Sequence, residues 1–344
     1  MSSLGLLSSL RFLRASLASD GIPSPRRTAL RLDTEELEAD VYEPRRPGPT
    51  VLFVHGLSPR GERDPRLMHA AAALCAAGCR VVAPRFPEVV ALRLSPATPR
   101  RIVAVTRALA ERGPVGLFSV SFTGSLCLRA AAAPEVADRV SGVLVLGGAA
   151  RPAAVLEHAV AEPGADPYVW RLGFSSWLPQ VVPGSEPVAA ALREAVLDDS
   201  WDRVPGNYPS ACAALTPEHT ALLRRLDDPS ERRRLARLAL GGDALDALSP
   251  LPSLAALRCP VALLHGATDA VVPATESRFL HARMQELGLR SRLLVTGLLT
   301  HGDTALGPRQ VLDVPALAGL FAWWFRALGP YADASGRPKR FADP

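Results

Sequence analysis

Ser121 stands in the run Val115-Gly116-Leu117-Phe118-Ser119-Val120-Ser121-Phe122-Thr123-Gly124-Ser125. The apolar residues Val115 to Phe118 read as a buried strand, and the segment from Leu126 to Ala133 reads as a helix. Small residues surround the serine at the turn between them. A second apolar run, Cys259 to Leu264, leads through His265-Gly266-Ala267-Thr268 to Asp269 and on to Val271-Val272-Pro273. A third, Ser291 to Val295, leads to Leu299-Thr300-His301-Gly302-Asp303. A serine hydroxyl is a poor nucleophile near neutral pH. A histidine can take its proton and pass it to a leaving group, and a carboxylate can fix the tautomer of that histidine. All three residues follow an apolar strand, so in a parallel sheet they lie at its carboxyl edge, where ligands bind.

Each also has a plainer reading: a turn serine, a turn aspartate, a surface-loop histidine. Asp303, two residues beyond His301, is a rival acid, although a loop or capping role fits it better. Cys127 falls in the helix after the turn and is not a candidate nucleophile.

The elements that must position these groups alternate along the chain. Ala29–Leu32 and Leu37–Tyr42 read as an opening pair of strands. Thr50-Val51-Leu52-Phe53-Val54 is a continuous apolar run, as in a strand buried on both faces, and it ends in His55-Gly56-Leu57-Ser58. A helix is expected from Leu67 to Ala77, a strand from Arg80 to Pro84, and a helix from Pro99 to Arg112 with Thr98 as its N-cap. Val140 to Leu146 is a further strand. From about Arg151 to Arg258 no buried strand is evident, and helices read from Pro187 to Val196 and from Pro217 to Leu240, the latter broken near Pro229. Thr275–Leu287 and Pro315–Leu328 are helices of the closing part. This alternation implies an α/β chain with a mostly parallel central sheet.

The serine turn, the His55-Gly56 loop, the Gly-x-x-Asp ending in Asp269 and the late His301 together resemble the α/β-hydrolase family. Ser121, Asp269 and His301 follow one another in that family's order of nucleophile, acid and base. The usual turn is Gly-x-Ser-x-Gly; here Ser119 replaces the first glycine, and Thr123 followed by Gly124 stands for the second. The resemblance implies the α/β-hydrolase fold and a catalytic triad of those three residues, with Asp269 orienting His301. It implies an oxyanion hole of the Leu57 and Phe122 backbone N–H groups. Gly56 lets that loop approach the substrate, and His55 supports it by hydrogen bonds. The expected organisation is an N-terminal helical extension (1–27), a hydrolase core (28–150 and 259–330), a helical cap or lid (151–258) and a C-terminal tail (331–344). The implied activity is hydrolysis of a carboxylic ester through an acyl-enzyme. Acyltransferase, thioesterase, amidase or peptidase chemistry on the same triad is open, as is a non-catalytic binding protein on this scaffold. A serine at this turn argues against the epoxide-hydrolase and dehalogenase branches, which use aspartate there.

The 344 residues are 48% hydrophobic, enough for a large core. The formal net charge is only +5, and the basic residues are arginines apart from Lys339. The densest cluster, around Arg224, Arg225 and Arg232–Arg234, is interleaved with Asp227, Asp228 and Glu231 and reads as a solvated helix face, not a nucleic-acid stripe. Five cysteines, without a CxxC pair, read as thiols of a reducing compartment, which points to a cytoplasmic protein with no metal or organic cofactor. The expected partner is a small, partly apolar acyl substrate. Met1 to Leu17 reads as an amphipathic helix that packs on the body, with peripheral membrane contact as the lesser alternative.

Overall fold

The structure is a computed structural model and describes residues 3–18, 24–93, 95–162, 165–198, 207–239, 246–300 and 310–329. His301, Asp303 and the 331–344 tail lie outside the described residues. The chain divides into two compact units.

The first unit comprises residues 1–150, 249–269 and 274–344. It opens with helix α1 (Ser3–Leu17), followed by β1 (Arg26–Arg31), β2 (Glu36–Tyr42) and β3 (Thr50–Val54). Next come α2 (Pro65–Ala76), β4 (Arg80–Pro84), the single turn α3 (Pro87–Val90), α4 (Ala97–Leu109), β5 (Val115–Val120), α5 (Thr123–Ala131) and β6 (Val140–Leu146). The eight strands of this unit form one sheet, ordered β1-β2-β4-β3-β5-β6 and completed by β7 (Val261–Gly266) and β8 (Ser291–Thr296). Only β1 and β2 run antiparallel to their neighbours. Every residue of β3 and β7 is buried, as the continuous apolar runs require of strands covered on both faces. One face carries a core of Phe53, Phe118, Leu144, Leu264 and Trp324, which α1, α2 and the closing helix α13 (Val314–Leu328) complete.

One local expectation changes. Thr98 does not cap its helix: α4 starts at Ala97, and the Thr98 hydroxyl donates instead to Glu88 Oε1 at 2.7 Å. Asp64 does cap α2, accepting from Arg66 N at 3.0 Å, with Pro65 in the first turn.

The second unit comprises 151–248 and 270–273. Its described residues build α6 (Pro152–Ala161), α7 (Pro167–Val181), α8 (Glu186–Asp198), α9 (Asn207–Ala213), α10 (Pro217–Arg225) and α11 (Pro229–Ala239). The break at Pro229 separates α10 from α11. Helices α6 and α7 have no counterpart in the sequence reading, because α7 carries Pro179 inside it and both have weak apolar periodicity. Arg232 ties this unit together: its guanidinium donates to the carbonyls of Val160, Leu226 and Asp227 and stacks over Trp170.

The helical segment expected from the sequence extends to Arg258. Residues 249–258 instead belong to the first unit, where Ser249 Oγ donates to Ala150 O at 2.8 Å and Arg129 donates to Ser249 O at 2.8 Å. Helix α1 packs on the body as expected, against α2 and α13, while α12 (Ala274–Glu286) covers β7 and β8. Among the described residues no helix is long and apolar enough to cross a membrane.

Candidate active site

Strand β5 is central. Its last residues pair with β3 on one side, Val54 beside Ser119, and with β6 on the other, Leu146 beside Val120. The chain then reverses into α5 within two residues. Ser121 makes that reversal at φ +62, a left-handed conformation that costs an L-residue other than Asn or Asp about 1–2 kcal/mol. Its N–H donates to Leu146 O at 2.6 Å, and its carbonyl accepts from Gly124 N at 2.9 Å. Such strain persists only where the surroundings over-determine it, and it concentrates at functional sites.

Four hydroxyls crowd this turn, and only that of Ser121 belongs to a partly exposed residue. Ser119, Thr123 and Ser125 are buried and turn their hydroxyls onto carbonyls: Ser119 to Leu144 O at 3.5 Å, Thr123 to Val120 O at 2.8 Å, Ser125 to Ala149 O. The close-packing position is Gly124. A Cβ there would stand 2.3 Å from Val145 Cγ1, so with Val145 in place glycine is what lets α5 lie this close to β6. Cys127 is fully buried and its thiol pKa is pushed up to about 12 by burial, which rules it out as a nucleophile near neutral pH.

The loop after β3 runs alongside. A Cβ on Gly56 would lie 3.6 Å from Ser121 Cβ and 3.4 Å from Val120 O, so the loop passes next to the serine at Gly56. Phe122 leads directly into Thr123, the first residue of α5, where backbone N–H groups lack intrahelical partners. His55 is buried behind this loop. Its Nε2 accepts from Phe86 N at 3.1 Å, so Nδ1 carries the proton and donates to Gly56 O at 2.9 Å. Burial lowers its pKa to about 4, and the ring is neutral near physiological pH. His55 therefore clamps the β3 loop to the β4 exit.

Asp269 follows β7, with its side chain closed from solvent. One small cavity is lined by Val120, Ser121, Leu146, Gly147, Gly266, Asp269 and Thr300. The serine, the acid and the residue before His301 thus share a cavity; His301 itself lies outside the described residues. Gly266 makes the approach of the last loop possible, since a Cβ there would sit 2.4 Å from Leu299 O. The turn leaving β8 is anchored by Asp313, whose Oδ2 accepts from Thr296 Oγ1 at 2.6 Å and from Gly297 N at 3.1 Å.

The sequence assigns no role to His265 or Ser277. His265 Nε2 lies 3.5 Å from Asp269 Oδ2, and its Nδ1 lies 2.6 Å from Ser277 Oγ. A histidine four residues before the candidate acid, inside an otherwise apolar strand, was the available signal.

No protein-family model matches the sequence, and no curated protein sequence matches it. Solved structures do resemble it in shape. An acylaminoacyl peptidase of Pyrococcus horikoshii superposes with a TM-score of 0.53 at 16% identity, over 88% of this chain and 41% of that one. A puromycin-hydrolyzing peptidase of Mycobacterium tuberculosis gives 0.52 at 17%, over 89% and 40%. The chain thus spans about two fifths of the length of these two peptidases. An esterase of Pyrococcus furiosus gives 0.51 at 12% identity, over 88% of this chain and 91% of that one. With the strand order, the strained serine turn and this likeness together, the chain has the α/β-hydrolase fold.

Proposed function

We propose that the protein is a serine hydrolase that cleaves a carboxylic ester through an acyl-enzyme. The observation that carries this reading is Ser121 at φ +62, the one partly exposed serine of its turn, in a cavity it shares with Asp269 and Thr300. In this mechanism His301 takes the Ser121 proton as Oγ attacks the acyl carbonyl. It then protonates the departing alcohol, and water resolves the acyl-enzyme by the reverse proton path. Asp269 holds the tautomer of His301 and stabilises the imidazolium. The Leu57 and Phe122 N–H groups bind the oxyanion, each worth about 2.7–4 kcal/mol to the transition state.

Gel labelling with a fluorophosphonate probe tests the nucleophile. The parent is expected to label and Ser121→Ala to be silent; a silent parent, or an equally labelled Ser121→Ala, sinks the proposal. Asp269→Asn is expected to lower kcat by about 10⁴-fold while Asp303→Asn leaves it nearly intact. A panel of p-nitrophenyl esters, thioesters and aminoacyl anilides then ranks ester against thioester and amide cleavage.

A further inference from the structure

Helix α1 is inverted. Gly5, Ser9 and Phe12 face the protein, with Leu13 half-buried against the core, while four of its leucines face outward. Gly5 approaches α13 so closely that a Cβ would stand 2.6 Å from Ala322 O. Ser9, fully buried, donates to Ala318 O at 2.8 Å, and Phe12 packs on Phe321 with ring centroids 4.3 Å apart. His69 of α2 meets Ser16 O at 2.9 Å. The helix is therefore fastened along its inner side by Gly5, Ser9, Phe12 and Ser16. Outward stand Leu6, Leu7, Leu10 and Leu17, exposed by 43% to 68%.

Scattered exposed leucines are ordinary on a protein surface. These are not scattered. Among the described residues eight large apolar side chains are exposed; four are these leucines, and two more, Leu312 and Val314, lie where the chain enters α13. Gly5 faces Ala322 and Ser9 faces Ala318, so α1 and α13 run antiparallel and the Leu17 end of α1 points toward that entry.

Charge identifies the occupant. Arg11 and Arg14 are exposed among the leucines, in the helical spacing Leu7, Leu10, Arg11, Arg14, Leu17. The three packed helices α1, α2 and α13 contain no aspartate or glutamate. A second copy of the chain docked on this face across a two-fold axis would bring the arginines of both copies into one interface, with no acid on these helices to neutralise them. An anionic lipid surface accepts both parts of the pattern: acyl chains for the leucines, headgroup phosphates for the arginines.

We propose that the α1 face docks on anionic lipid bilayers, with α1 lying in the interfacial plane. The test is co-sedimentation of the full chain with vesicles of phosphatidylcholine alone and of phosphatidylcholine mixed with phosphatidylglycerol. The protein is expected to pellet with the mixed vesicles, to stay in the supernatant with phosphatidylcholine, and to be released as salt is raised. Leu7→Glu with Leu10→Glu is expected to abolish pelleting. Arg11→Ala with Arg14→Ala is expected to weaken it roughly fivefold for each arginine. Thermal melts by circular dichroism show whether the variants fold; if the leucine variant does not, the salt titration and the arginine variant decide.

A parent that ignores mixed vesicles, or a folded leucine variant that pellets like the parent, overturns the proposal. So does a parent dimer in sedimentation equilibrium that Leu10→Glu dissociates, which would identify a second copy as the occupant. Hydrolysis of a soluble p-nitrophenyl ester is expected to be unchanged in all these variants, so the membrane proposal and the catalytic reading fail separately.

Discussion

His265 sets its Nε2 3.5 Å from a carboxylate oxygen of Asp269, with both side chains shut off from solvent. A buried carboxylate needs donors. A carboxylate can only accept, so the ring proton belongs on Nε2, facing Asp269, and Nδ1 then accepts from the Ser277 hydroxyl at 2.6 Å. His265→Leu is therefore expected to lower kcat by roughly tenfold to a hundredfold, the worth of one hydrogen bond to a charged group, with KM nearly unchanged. His265→Gln, which returns an N–H near the Nε2 position, is expected to recover most of it. Steady-state kinetics on a p-nitrophenyl ester checks this. A His265→Leu variant that melts earlier but keeps the parent's kcat would reduce the ring to a packing role.

The strain at Ser121 makes a prediction about stability opposed to that about activity. Both Ser121→Ala and Ser121→Gly remove the hydroxyl and are expected to abolish turnover. Alanine retains the Cβ at φ +62 and with it the left-handed penalty of about 1–2 kcal/mol, whereas glycine escapes it and loses about 0.5–1 kcal/mol to chain entropy. Ser121→Gly is thus expected to unfold in urea at higher denaturant than Ser121→Ala, by roughly 0.5–1 kcal/mol. Equal midpoints would mean that the turn is not strained in solution.

Two glycines differ in what a methyl group would meet. At Gly124 it meets the tip of Val145, a side chain that can be trimmed; at Gly266 it meets the backbone of Leu299 and Thr300, which must move bodily. Both Gly124→Ala and Gly266→Ala are expected to cost about 1–3 kcal/mol of stability through overpacking. Val145→Ala is expected to restore activity and stability to Gly124→Ala. No single partner change is expected to rescue Gly266→Ala, because the displaced segment is the one that leads to His301. Activity and melting temperature of the two single variants and the Gly124→Ala/Val145→Ala pair give the answer.

Much of this architecture is written in the sequence because its signals are local. The apolar runs at Thr50–Val54, Val115–Phe118 and Cys259–Leu264 announce buried strands, and they become β3, β5 and β7, with β3 beside β5 and β6 between β5 and β7. The order Ser121, Asp269, His301 likewise reads directly. What stayed hidden depends on contacts between distant segments. Thr98 has the chemistry of an N-cap, but the buried Glu88 carboxylate, reached only after folding, offers its hydroxyl a stronger partner. Ser119 and Thr123 stand where the usual serine turn has glycines. The structure shows Ser119 and Thr123 fitting because each hydroxyl finds a carbonyl, while the close approach of α5 falls on Gly124. The outward leucines of α1 mislead in the other direction, since periodicity alone assigns them to the packed face that Gly5, Ser9 and Phe12 in fact form.

His55 predicts a pH dependence of stability. Its ordinary pKa of 6.5 falls to about 4 in the folded protein because burial disfavours the charged ring. Between these two values the unfolded chain holds a proton that the folded chain does not, so stability rises with pH across that window. The contribution is whole above about pH 6.5, falls as pH drops through that value at about 1.4 kcal/mol per unit, and is spent near about pH 4 after a loss on the order of 3 kcal/mol. Other groups titrate over the same range, so the readout is a difference. Urea unfolding of parent and His55→Gln is compared near neutrality and near about pH 5. The variant is expected to be less stable at neutrality, since Phe86 N–H and Gly56 C=O lose their shared partner, yet to lose less on acidification. Parallel losses in the two proteins would show that His55 takes up its proton without disturbing the loop beside Ser121.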